Sequence, residues 1–194
     1  MKTLALLVLL AGATAAMADD NLLQNGDFSS GIAHWDGDCH TPDATALDSG
    51  GATPTAGIIV QLRSHDWTKV MQDFDGKIGE YQLTITYSAS SDMKFSDNVK
   101  DYTNVPGLLG FSRLRPFNST PGDWVVIVND LGAMRYTYWK ISPNMGASGV
   151  QTLHLRVHLD SDASEKKGFY LVFPPGEGII NLQSISLLPQ APGA

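Results

Sequence analysis

Glu80 to Ser90 reads EYQLTITYSAS, and its alternation decides what kind of chain this is. Tyr81, Leu83, Ile85 and Tyr87 fall on one side of an extended strand, while Gln82, Thr84, Thr86 and Ser88 fall on the other. Gln151 to Asp160 (QTLHLRVHLD) repeats the pattern, with Leu153, Leu155, Val157 and Leu159 directed inward and His154, Arg156 and His158 in a row opposite. Further strands are expected at Gly57 to Arg63, Trp124 to Asn129, Met134 to Ile141, Gly168 to Phe173 and Gly178 to Leu188, the last two separated by Pro174-Pro175-Gly176. No segment sustains a helical apolar period between caps, so the pattern is that of an all-β, two-sheet antiparallel β-sandwich.

The ends of the chain read differently from its middle. Lys2, the apolar run Leu4 to Leu10 and the small residues of Ala16-Met17-Ala18 read as a signal peptide over 1–18, so a secreted or extracellular protein is expected, periplasmic if bacterial and retained. One sandwich is expected over 19–188, followed by a flexible tail at 189–194. No later segment approaches the ~18 consecutive apolar residues of a membrane span. The formal charge of -7, one unit more acidic without Lys2, argues against nucleic acid and anionic membranes as partners. Cys39 is the only cysteine, which excludes an internal disulfide and reads as a buried free thiol or an intermolecular bridge.

Residues 91–123 show little strand pattern. A stretch of this length in a compact domain is either functional or hides a short element. It contains Tyr102 and Phe111, which could fold over a ligand, and the sequon Asn118-Ser119-Thr120, whose following Pro121 disfavours its use.

Asn21 to Asp38 reads NLLQNGDFSSGIAHWDGD, an apolar strand, a tight turn and a tryptophan. In order there follow an Arg-x-x-x-Trp (Arg63, Trp67), the G-x-Y-x-L-x-I-x-Y strand beginning at Gly79, and the ending GIINLQSISL. Together these resemble carbohydrate-binding modules of families 4, 9 and 22, from Asn21 to Leu188, with 91–123 as an insertion. The resemblance implies a galactose-binding-like jelly-roll with a concave sheet face that takes glycan chains. It also implies a structural Ca²⁺ near the first turn, but Ser29 and Gln183 stand where carboxylates are usual, leaving Asp27 as the one charged ligand for a weak calcium site. The alternative is that Asp27 shapes its turn.

Sugars are held by aromatic rings under their C–H faces and by planar polar groups at their hydroxyls. The resemblance implies that role for Arg63 and Trp67 at a cleft rim; otherwise Trp67 covers the sandwich end and Arg63 pairs with Asp66 or Asp73. His154, Arg156 and His158 either line the cleft or form a solvated sheet face. His154 and His158 are spaced about 13 Å apart along a strand, too far to share a metal ion. Tyr136 and Tyr138 share a face opposite Trp139, and the resemblance points to the tyrosines as ligand-binding; Trp35 and Trp124 read as core. No catalytic motif of the elbow, zincin or phosphate-loop kind is present. A non-catalytic polysaccharide-binding protein is therefore expected. The alternatives are a secreted adhesion sandwich that binds a protein or cell-surface partner and, with Tyr136 and the histidine row as its machinery, a jelly-roll polysaccharide lyase.

Overall fold

The computed structural model describes residues 20–42, 57–96, 121–131, 135–145, 149–159 and 166–190. Residues 1–18, where a signal peptide is expected, most of 91–123 with Tyr102, Phe111 and the sequon, and residues 191–194 lie outside them.

The described residues are all-β and form a two-sheet antiparallel sandwich of jelly-roll type. The strands are β1 (Asp36–Gly37), β2 (Cys39–His40), β3 (Ile58–Gln61), β4 (Thr68–Asp75), β5 (Gly79–Ala89), β6 (Lys94–Phe95), β7 (Trp124–Asp130), β8 (Arg135–Ile141), β9 (Gln151–Leu159), β10 (Lys166–Phe173), β11 (Gly176–Glu177) and β12 (Ile179–Pro189). The first sheet runs β1-β4-β10-β7-β8 and the second β2-β3-β12-β5-β9; β11 and β6 pair separately. Among the described strands, β2–β3 and β7–β8 pair as consecutive elements, while the other pairings within the two sheets join strands far apart in sequence.

The expected inward residues meet in one core. Leu83, Ile85, Tyr87 and Val157 from the second sheet face Val126, Val128, Phe169 and Leu171 from the first, each less than 5% exposed. Trp124 is fully buried, edge-on to Tyr87 at 4.8 Å and to Phe173 at 4.9 Å. Trp35 is 3% exposed between Phe28 and Phe169, closing one side of the sandwich as expected of a core residue. At one end Lys167 and Asp130, both buried, form an ion pair at 3.3 Å whose partners must stay together because either charge alone would be buried without compensation.

Two expectations are corrected. Thr68–Asp75 (TKVMQDFD) is a full strand that the sequence pattern conceals, because its inward series Thr68, Val70, Gln72, Phe74 contains a glutamine while Met71 turns outward. Buried Gln72 is satisfied: its Oε1 accepts from the Gln24 N–H, and its Nε2 donates to the carbonyls of Gln24 and His34. The opening stretch, in turn, is no regular strand. Asn25, Phe28 and His34 take positive φ there, and the Asn25 amide donates to the carbonyls of Gly31 and Ala33 while its oxygen accepts from the Ser30 N–H. The turn docks on β12 through Leu22 N–H to the Leu187 carbonyl and Ile185 N–H to the Gly26 carbonyl. A side chain at Gly26 would collide with the Ile185 carbonyl, so the N-G pair in NLLQNGDF serves this close approach.

Candidate functional site: the outer face of the first sheet

Strand parity determines which residues each sheet turns away from the core. On the first sheet, Asp73, Gly168, Asn129 and Tyr136 stand in one cross-strand row, and Met71, Tyr170, Ile127 and Tyr138 in the next. A third row is Lys69, Val172, Val125 and Lys140. This face carries an apolar cluster of its own: Trp67, Val125, Ile127, Tyr170 and Val172 are buried, with Met71 and Tyr136 packed against it. Tyr138 is 44% exposed at its margin. Gly168 is the saddle of the arrangement, since a Cβ there would lie 2.9 Å from the Tyr170 ring. Burial, followed by the charge of Asp73, pushes the Tyr170 phenol above its usual pKa, against the opposing influence of its hydrogen bond with the Asn129 side chain. The phenol is therefore a neutral hydrogen-bonding group at physiological pH.

The second sheet turns out a different surface. His154 Nδ1 lies 3.2 Å from Thr84 Oγ1, His158 Nδ1 lies 2.7 Å from Glu80 Oε1, and Arg156 stands opposite Gln82. Ser184 and Ser186 continue the polar rows across β12. His154, Arg156 and His158 thus keep the parity expected of them, but they lie on the opposite side of the sandwich from Tyr136 and Tyr138. The two groups cannot share one cleft.

Trp67 and Arg63 require the clearest correction. Trp67 is 4% exposed inside the outer-face cluster, so its ring offers no open platform at a rim. Arg63 reaches neither Asp66 nor Asp73: its guanidinium meets Asp38 Oδ1 at 2.6 Å, with the arginine side chain half exposed. Asp38 is itself clipped to β4, its N–H donating to the Lys69 carbonyl and its Oδ2 accepting from the Lys69 N–H. Arg63 therefore sits at the β4 edge of the first sheet. Tyr170, which the sequence reading passed over, joins the site; its signal was its parity with Val172 in GFYLVF, masked by an unbroken apolar run.

Asp27 Oδ1 accepts from the Ser29 N–H at 3.1 Å and from Ser29 Oγ at 2.9 Å, and these bonds hold its carboxyl below the usual range. Gln183 occupies the register shift in β12 between Leu182 and Ser184. Among the described residues no three His, Cys, Asp or Glu side chains gather as a metal site. A Ca²⁺ at Asp27 would have to draw its other ligands from carbonyls and hydroxyls. An open cleft of about 520 Å³ lies beside this turn, lined by Asn21, Gln24, Asp27, Ser184 and Ser186, away from the tyrosines. Cys39 is half-buried in β2, its thiol pushed up to about 11 by burial and then by Asp36 and Asp38.

No family model and no curated protein matches the sequence. Solved structures do match its fold. The carbohydrate-binding module TmCBM61, in complex with β-1,4-galactotriose, aligns at TM-score 0.50 and 10% identity over 88% of this chain and 99% of that one. The arabinose-bound MgGH51 α-L-arabinofuranosidase aligns at TM-score 0.54 and 14% identity over 88% of this chain, which spans only 26% of that protein. The Stig cyclase Fisc from Fischerella sp. TAU aligns at TM-score 0.51 and 12% identity, covering 88% and 98%. The similarity establishes the jelly-roll sandwich, a fold that one of these proteins uses to hold a glycan and another carries as a cyclase.

Proposed function

We propose that this chain is an exported, non-catalytic carbohydrate-binding protein that recognises polysaccharide on the outer face of the first sheet. The observation that carries this reading is the segregation of aromatic groups to that face. Tyr136, Tyr138 and Tyr170 lie there beside Asp73, Asn129, Lys69 and Lys140, whereas the described outer residues of the second sheet include no Phe, Tyr or Trp. The face of a phenol ring supplies apolar area for a sugar's C–H face, and the amide, carboxylate and ammonium groups around it supply direction for hydroxyls. Tyr138 is the stacking ring and Tyr136 its neighbour, with Tyr170 and Asn129 fixing the floor. Trp67 supports the face from within.

The likeness to a galactotriose-bound module favours the same reading. The separation of Tyr136 from the histidine row works against the lyase alternative, whose acid and base groups would have to converge on one sugar. Affinity electrophoresis through a panel of neutral and acidic polysaccharides tests the proposal. Retardation that Tyr138→Ala weakens and Arg156→Ala leaves unchanged is expected. Retardation by no polysaccharide, or an unsaturated product absorbing in the ultraviolet, would reject it.

A further inference from the structure

We infer that the chain pairs with a second copy of itself, strand β9 against strand β9, to join two second sheets edge to edge. Natural sheets guard their edges with short strands, prolines, lysines or bulges, because an unguarded edge presents a ladder of unpaired backbone groups. At the opposite border of each sheet the edges are β1 and β2, only 2 residues each. Strand β9 is different. It is the edge of the second sheet among the described residues, runs for 9 residues, pairs with β5 in unbroken register, and contains no Pro, Gly or Lys.

The side chains of β9 specify its partner. The chain carries a net charge of -7, yet 151–159 contains no Asp or Glu, so two acidic molecules meet there with the least repulsion. A two-fold axis through Leu155, the middle of the strand, pairs Thr152 to His158 antiparallel. It sets Leu155 against Leu155 and Leu153 against Val157 on the inner side, where Leu153 and Leu155 are only partly buried in the single copy. On the outer side it sets His154 against Arg156 twice. Sliding the strands by two residues in one direction would face Arg156 with itself, and sliding them in the other would face His154 with itself; either shift leaves both strand ends unpaired. The interface is isologous, so the same arrangement, which keeps the two Arg156 side chains apart, is used twice.

This pairing stands independently of the glycan site, which occupies the other sheet. Sedimentation equilibrium on the full chain, up to about 1 mM, is the test. The expected result is a monomer–dimer equilibrium. His154→Arg, which places arginine against arginine in both symmetry-related pairs, should raise the dissociation constant about tenfold. Adding Arg156→Glu to that variant should return it to within about threefold of the original by replacing repulsion with attraction. Both substitutions are at exposed positions, and thermal melts of the dilute monomers should superimpose on the parent's. A chain that stays monomeric throughout, or a dimer indifferent to His154→Arg, overturns the inference.

Discussion

The two outward faces of the sandwich are built by the same alternation, yet one is lined with aromatic and branched apolar groups and the other with hydroxyls, amides and imidazoles. The difference is written in the strands themselves. Strands β7 (WVVIVND) and β10 (KKGFYLVF) are nearly continuous apolar runs, because both of their faces are buried, one in the core and one in the outer cluster. Strands β5 and β9 alternate strictly, because only one face is covered. A run that breaks alternation within an otherwise alternating protein thus points to a sheet with a second apolar layer, and here that layer carries the face proposed for the ligand.

The sharpest way to break this comparison is to remove the layer. Trp67→Ala empties a buried tryptophan site on the outer face and should cost about 3–5 kcal/mol, as a core aromatic would, despite lying outside the sandwich interior. Thr84→Val on the other face should stay within about 0.5 kcal/mol. Urea unfolding of both variants, compared at equal slope, measures the contrast. Equal small losses would mean that Trp67 is a loosely held surface ring.

A second effect, about tenfold in affinity or on the order of 1.4 kcal/mol, is expected from Tyr138→Ala on polysaccharide binding. Arg156→Ala on the opposite face should change it less than twofold. Titration calorimetry with the best-retained polysaccharide distinguishes the two. If the arginine variant loses more, the ligand uses the second sheet and the faces exchange roles.

How much of this the sequence revealed follows from the same contrast. The alternating strands β5 and β9 declared their type, limits and facing, and the Tyr136/Tyr138 parity held because β8 pairs in register with β7. Strand β4 was hidden, since buried Gln72 interrupts its apolar series and is tolerated only through three hydrogen bonds to the opening turn, which no local pattern announces. Arg63 and Trp67 were placed at an exposed rim by resemblance alone. Their actual partners, Asp38 and the outer cluster, come from elements brought in by topology, so four-residue spacing carried no information about either. The opposition of the tyrosines and the histidine row was equally unreadable, because assignment of β8 and β9 to different sheets depends on long-range pairing.

Alkaline titration yields a smaller effect. Tyr170 has a raised pKa in the folded protein, so the stability it contributes is complete below the unfolded value of about 10 and declines as pH rises through the folded value. Tyr170→Phe should flatten the loss of stability above about pH 10. Some slope will persist, because the Tyr87 phenol and the Cys39 thiol are raised in the same sense by burial. Melting temperatures between neutral and strongly alkaline pH measure the change, and an unaltered slope would place the Tyr170 phenol in water instead of in the apolar layer.

The smallest predicted change belongs to the hydrophilic face. The Glu80–His158 contact is short, 2.7 Å, but the two side chains are 47% and 53% exposed. Water screens such a pair and the ordering of both side chains offsets most of the attraction, so His158→Ala should cost no more than about 0.5 kcal/mol and leave polysaccharide affinity unchanged. The measurement belongs at low protein concentration, where pairing along β9 does not add to stability. Added salt should narrow the small difference further, since the contact lies in solvent. A loss comparable to that of Trp67→Ala would show that something packs over this face, and the contrast between a layered sheet and a solvated one would no longer hold.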